Sequence, residues 1–367
     1  MNNFCKLLIF QFLCSLFFIN TSRAQDPGFS QFEGNKLYIN PASAGTSMGL
    51  NINAVYRSQW NNIKGGFQTP KLSIDFGFNK NFGMGLYIMQ DNEGNSLKTT
   101  AAGLGLSGSI SGYDNSSKSY FDIRAGIMAF YVCKKLDFNN LIFSDQLDQI
   151  NGYNNHASSF TVPQEFLKIN YFELSTGLNF IYTKPKFEIE IGGSIHHWPK
   201  PKQSFVGLET KLPNKYAIYA DLKFIMGERY IYPYISLALQ SPFKQILLGF
   251  NTTLIYPGII AGLSFRQSFT NSDALILMCG YETNLNRESR RKKNSHFIRV
   301  LYSYDMTISK LSNSSGGSHE ISLGYVYKYI DRCPLNSRNN WQMRNFWKDK
   351  KILRIKKGGK NNRNKTY

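Results

Sequence analysis

The sequence predicts an all-β fold: a transmembrane antiparallel β-barrel of about 14 strands, with an irregular N-terminal segment and a basic C-terminal tail. Three observations predict it. From residue 49 apolar and polar residues alternate with period two and almost no helical stretch intervenes. The connections between these runs tend to alternate long and short, as in barrels with outer loops and inner turns. The strand count is even, behind a leader that exports the chain.

Residues 1–24 read as a secretory signal peptide. Lys6 supplies the positive start, Leu7–Ile19 an apolar core of 13 residues, and Ser22-Arg23-Ala24 small residues where the peptidase cuts, before Gln25. Thirteen apolar residues fall short of the roughly 20 a spanning helix needs. Cys14 follows Phe12 and Leu13, not small residues, which argues against lipid attachment there. No later apolar run is long enough for a spanning helix, so the exported chain is either soluble or a barrel. Cys133, Cys279 and Cys333 remain after cleavage. An odd, small number argues against a disulfide scaffold, and the first two fit as apolar packers inside strands.

The segment 25–48 contains QDPGFSQFEGNKLYINPASAG at Gln25–Gly45. It is too rich in Asn, Pro and Gly for a strand or a long helix, yet it keeps Phe29, Phe32 and Tyr38 and ends in Asn40-Pro41-Ala42. Such a stretch docks. Strand parity places it in the periplasm or the lower barrel, as an exposed docking strip or as a plug with Phe29, Tyr38 and Asn40 buried against the wall.

The barrel is expected over 49–330. Ile52, Ala54 and Tyr56 alternate with Asn51, Asn53 and Arg57; Phe121, Ile123 and Ile127 with Asp122, Arg124 and Gly126; Ile321, Leu323 and Tyr325 with Glu320, Ser322 and Gly324. A soluble sandwich would show the same alternation with its apolar face inside. Connection lengths, even parity and the last strand, Ser322-x-Gly324-x-x-Tyr327-x-Tyr329, favour the membrane barrel; that ending resembles the terminal pattern barrel insertases recognise. The connection 134–168 is the longest, with room for one helical turn, and loops of that length are usually functional.

Net charge is +19, unevenly spread. The tail 331–367 carries 12 Lys and Arg against two Asp, and Arg287–Lys293 adds +4, so the barrel body is nearly neutral. The tail reads as a flexible solvated arm. Export leaves no nucleic acid as its partner; lipid headgroups, a peptidoglycan-associated protein or acidic cargo are the candidates. Even parity puts both termini and the 285–295 connection on the periplasmic side, where tail and connection would form one cationic surface.

No catalytic or metal constellation holds, and no cofactor is expected. His196-His197 lacks a third ligand at metal spacing. Glu188 and Glu190 share a strand face and read as lumen residues, offset by Arg57, Arg124, Lys223 and Arg299. Gly103-x-Gly105-x-x-Gly108 matches a dinucleotide fingerprint formally, but no helix follows it.

The chain resembles the PorP/SprF family of the type IX secretion system of Bacteroidota. The match runs through Gln25-Asp26-Pro27, Phe29-Ser30-Gln31-Phe32, Leu37-Tyr38-Ile39-Asn40-Pro41-Ala42 and Ala44-Gly45. It continues through Tyr56-Arg57-x-Gln59-Trp60, Ser73-x-Asp75, Gly83-x-Gly85-Leu86, Asp91-x-x-Gly94, Asp145-Gln146, His197, Leu212-Pro213 with Tyr216, and Gly317-Ser318-His319-Glu320-Ile321. It covers about residues 25–330. Lys36 stands where the family usually has an uncharged residue, which weakens the docking motif, and 331–367 extends past the usual barrel end.

The resemblance implies an outer-membrane barrel, not an enzyme, that assists export or surface attachment of cargo such as large adhesins. The implied partners are the type IX translocon barrel, the cargo's C-terminal domain, outer-membrane lipid and a periplasmic peptidoglycan-associated lipoprotein. The docking candidates are Phe29, Phe32, Tyr38, Asn40, Pro41, Tyr56, Arg57, Trp60, Asp145, His319 and Glu320. The alternative is a passive channel for small solutes, which needs an open lumen.

Overall fold

The computed structural model describes residues 26–328, except 80, 115, 149–151, 154–166, 206–209, 227–228, 242, 255–257, 269–271, 286–294 and 310–311. The leader 1–24, the cluster Arg287–Lys293, the turns Gly227-Glu228 and Tyr256-Pro257, Cys333 and the tail 331–367 lie outside the described residues.

Fourteen strands close into one antiparallel barrel. They are β1 Gly49–Gln59, β2 Phe67–Gly77, β3 Phe82–Glu93, β4 Leu97–Asp114, β5 Ser119–Leu136, β6 Lys168–Thr183 and β7 Phe187–Trp198. The second half holds β8 Lys215–Met226, β9 Arg229–Gln240, β10 Phe243–Leu254, β11 Ile259–Ser268, β12 Ser272–Asn284, β13 Ser295–Thr307 and β14 Ser318–Lys328. Each strand pairs with its chain neighbours, and β1 meets β14 from Gly49↔Lys328 to Gln59↔Ser318. Closure leaves the sheet without a free edge, which a bilayer demands. Among the described residues no helix is long and apolar enough to cross a membrane.

The wall is inside-out relative to a soluble fold. Leu86, Leu104, Leu106, Ile123, Ile127 and Leu178 face outward and are exposed, while Arg57, Asp75, Arg124, Glu190, Asp305 and Glu320 face inward and are buried. Period two forces this split, because adjacent strand residues point to opposite faces. Exposed aromatics gather near both rims: Tyr56, Tyr131, Trp198, Tyr216 and Tyr302 towards one, Phe78, Phe82, Phe121 and Tyr281 towards the other. These are the girdles expected where a barrel crosses the two membrane interfaces.

The first rim carries the long connections, including 137–167, 199–214 and 308–317; the second carries 78–81, 115–118 and 184–186. The ten-residue connection 285–294 departs from this pattern, as do the short first-rim connections 94–96, 241–242 and 269–271. The connection 137–167 holds two 3-10 turns, Phe138–Asn140 and Ser144–Gln146, and a hairpin pairing Leu147–Asp148 with Gly152–Tyr153, instead of one helical turn. The first connection spans only 60–66, because β2 runs through Pro70, opposite Tyr56. The Gly103–Gly108 run lies wholly inside β4. Cys133 and Cys279 are free thiols in β5 and β12.

Residues 26–48 occupy the lumen. They form a 3-10 turn at Glu33–Asn35, one helical turn at Lys36–Ile39 and a second 3-10 turn at Pro41–Ser43. They do not stay in the lower barrel. Asp26 meets Lys215 and Gln240, at the long-connection ends of β8 and β9, while Gly45 meets Asp75 and Gly83 near the opposite rim. The segment therefore runs the length of the lumen before turning back as β1.

Candidate functional site in the barrel lumen

Four sets of contacts hold the segment, beginning at the long-connection rim. There the Asp26 carboxylate accepts from Lys215 Nζ at 3.0 Å and sits 2.9 Å from His197 Nε2. His197 Nδ1 in turn lies 2.8 Å from Glu173 Oε2, so the imidazole bridges two carboxylates. Lys215 also donates to Tyr38 Oη, and Tyr38 donates to the Pro27 carbonyl, both within the same knot. His197 is thus part of the clamp on the segment's start. Among the described residues no group of three or more His, Cys, Asp or Glu side chains is placed to hold a metal ion.

Below this lies a buried ionic cluster centred on Ser30. Its hydroxyl donates to Asp305 Oδ2 at 2.7 Å and accepts from Arg57 Nη1 at 2.6 Å and Arg266 Nη1 at 3.1 Å. Arg57 pairs with Asp305 at 2.7 Å and Glu320 at 3.1 Å; Arg266 pairs with Asp305 at 2.9 Å. The Glu320 carboxylate accepts the backbone N–H groups of Ser30 and Gln31 and the Asn35 amide, at 2.7, 3.2 and 3.2 Å. Gln31 finishes the grip, donating to the Glu320 carbonyl and accepting from Ser322. This cluster crosses the β1–β14 closing seam, so the segment ties the first strand to the last.

Midway, Lys36 donates to Glu190 at 2.8 Å and Asp221 at 2.9 Å. The charge that looked like a defect in the motif is its anchor to β7 and β8. Asn40 caps the second 3-10 turn by accepting from the Ala42 N–H at 2.9 Å and donates to the Leu178 carbonyl at 2.8 Å. Pro41 and Ala42 lie directly on Gly126 of β5, where a Cβ would come within 2.6 Å of the Ala42 Cα. Near the second rim Gly45, with φ +71°, donates its N–H to Asp75 at 3.0 Å, and Ser107 donates to the Ala44 carbonyl at 2.7 Å. Aromatic contacts fill the remainder. Phe32 stacks on Tyr234 and meets Tyr219 edge-on, and Phe29 meets Tyr38 edge-on.

Burial alone would raise the Asp26 carboxyl, but His197 and Lys215 outweigh it and hold the group well below its ordinary 3.8. Burial alone would lower the Lys36 ammonium, but Asp221 and Glu190 outweigh it and hold the group well above 10.5. A depressed carboxyl stabilises the docked segment above its ordinary range, and that contribution disappears as pH falls through its depressed value. A raised ammonium stabilises it below 10.5, and that contribution disappears as pH rises beyond. A spin label at Gly28→Cys is therefore expected to stay immobile at neutral pH and to loosen only in acid, as pH falls well below the ordinary carboxyl value of 3.8. Mobility that rises near neutrality, or that ignores acid, would contradict this.

Of the sequence candidates, Phe29, Phe32, Tyr38, Asn40, Pro41, Arg57 and Glu320 meet in the lumen. The other four do not. Tyr56 points outward. His319 lies on the outer face with its Nδ1 2.7 Å from Tyr302 Oη. Trp60 follows β1 with φ +62° and donates its N–H to the Gly317 carbonyl. Asp145 is exposed in the long connection. Asp26, Ser30, Lys36, Arg266 and Asp305 were not among the candidates. One pattern could have found part of the cluster: Arg57, Arg266, Asp305 and Glu320 each lie two residues from the same-rim end of their strands.

The sequence matches the family described as type IX secretion system membrane protein PorP/SprF over residues 21–325. The chain belongs to the PorP/SprF family. A comparison with curated proteins found no match. Similar solved structures include the Pseudomonas putida toluene transporter TodX, at 10% identity over 81% of this chain and 93% of that one, TM-score 0.44. A Pseudomonas aeruginosa FadL homologue matches at 10% identity over 77% and 89%, TM-score 0.39. The β domain of the Bordetella autotransporter BrkA matches at 11% over 76% and 98%, TM-score 0.36. Likeness at this level carries no functional argument. Family and barrel together make this PorP/SprF protein an outer-membrane component of the type IX secretion machinery.

Proposed function

We propose that this barrel is a non-enzymatic accessory of type IX secretion that assists export or surface attachment of cargo such as large adhesins. Membership of the PorP/SprF family is the observation that carries the reading. The filled lumen supports it over a solute channel. A cavity beside the segment, lined by Asp26, Phe29, Tyr38, Lys215, Gln240 and Leu247 among others, has a volume of ≈ 70 Å³. That is room for a few waters, not for a solute path.

In this reading Phe29, Phe32, Tyr38, Asn40 and Pro41 dock the protein's own segment onto Arg57, Glu320 and their neighbours. Trp60, Asp145 and His319, at the long-connection rim, are left to meet the cargo's C-terminal domain and the translocon barrel. A periplasmic peptidoglycan-associated lipoprotein would meet the opposite rim. The test is a clean chromosomal deletion. Loss of one secreted surface protein with normal small-solute uptake is expected; unchanged secretion with impaired uptake would make the barrel a channel.

A further inference from the structure

We propose that Lys98, Lys135 and Lys168 on the outer wall form a binding site for the phosphate groups of lipopolysaccharide in the outer leaflet. The three residues sit on adjacent strands in one cross-strand row, Lys98↔Lys135 between β4 and β5 and Lys135↔Lys168 between β5 and β6. All three are exposed. They share the outward face with Leu104, Leu106, Ile123, Ile127, Phe172 and Leu178.

Three like charges side by side repel, because directly paired strand residues stand only about 5 Å apart at Cβ. Among the described residues none of the three makes an ion pair. Asp137, two residues beyond Lys135, accepts from Asn140 at 3.0 Å. The row continues into β3 only as neutral Asn92, so the charge is confined to β4, β5 and β6. An arrangement with this local cost is relieved by an anion lying across it.

Height on the wall says which anion. Below the lysines come Thr100, Cys133 and Asn170, and below those Ala102, Tyr131 and Phe172. Tyr131 and Phe172 are exposed, with ring centroids 5.1 Å apart, and belong to the aromatic girdle. Four residues separate the lysine row from that girdle. This is about 13 Å along a strand and about 10 Å along the membrane normal at a tilt near 40°. Aromatic belts mark the edge of the hydrocarbon, so the ammonium groups fall among the headgroups. The row lies at the long-connection rim, which faces the outside of the cell. Phosphorylated lipid there is the glycolipid of the outer leaflet, and its negative charge complements the row.

The test measures binding of fluorescent lipopolysaccharide to the full-length protein purified in detergent. At about 1 kcal/mol per lysine, the K98Q/K135Q/K168Q variant is expected to bind roughly 100-fold more weakly, and K135Q alone about fivefold more weakly. The triple arginine variant should retain binding, which separates charge from misfolding. Dephosphorylated lipopolysaccharide should bind the parent no better than phosphorylated lipopolysaccharide binds the triple glutamine variant. The proposal is overturned if that variant binds like the parent. It also falls if phosphatidylglycerol vesicles bind more tightly than lipopolysaccharide, or if millimolar inorganic phosphate displaces the glycolipid completely.

Discussion

Deleting residues 26–45 is expected to turn a closed barrel into one that conducts ions. Side chains alone fill a barrel of about eight strands, and barrels of 16 to 18 leave an aqueous channel. Fourteen strands fall between these, so the interior needs a filler, and here the filler is the chain's own N-terminal segment. Two small cavities beside it, of ≈ 70 Å³ and ≈ 10 Å³, are lined jointly by the segment and the wall. Removing it exposes Arg57, Asp75, Arg124, Glu190, Asp221, Arg266, Asp305 and Glu320 to one continuous polar lumen. Their charges would then be solvated by entering water, so the wall itself should still close. In planar bilayers the shortened protein should give stepwise conductance where the intact one gives none. Heat-modifiable migration on gels confirms that the shortened barrel has assembled. Equal conductance from both forms would show that the segment does not seal the pore.

The barrel was legible because period two is a local property. Ile123 and Arg124 need only each other to declare opposite faces. The same rule should have pruned the candidates. Tyr56 and Arg57 are adjacent, as are His319 and Glu320, so only one of each pair can reach the lumen. What stayed hidden was pairing at a distance. Ser30 and Asp305 are 275 residues apart, and nothing near either in sequence marks them as partners. Lys36 read as an intruder for the same reason, since Glu190 and Asp221 come from strands far along the chain. Parity fixed Met48 near the short-turn rim. Whether the preceding residues left the barrel or climbed through it depended on lumen width and on Asp26 finding His197 and Lys215.

The largest stability loss from a single substitution is expected at Glu320. Its carboxylate accepts from Ser30, Gln31, Asn35 and Arg57 and is fully buried. Glu320→Ala would leave those donors short of an acceptor and the Arg57–Arg266 pair facing Asp305 as the cluster's remaining inner carboxylate. Removing one member of a buried ionic network costs about 3–5 kcal/mol, because the partner charge stays desolvated. Glu320→Gln should be nearly as harmful, since its NH2 group would oppose donors where an oxygen is required. The less buried Glu33–Arg299 pair, at 2.8 Å, supplies the contrast: Glu33→Ala should cost about 1 kcal/mol, because Arg299 keeps Glu282 as its partner. Urea unfolding of the barrel in lipid vesicles reads both. The decisive comparison repeats Glu320→Ala in the protein lacking residues 26–45. There the lumen is wet and the segment's amides are gone, so the cost should shrink by more than half. An undiminished cost would mean that Glu320 serves the β1–β14 seam alone, and that the segment is a passenger in the lumen instead of its clasp.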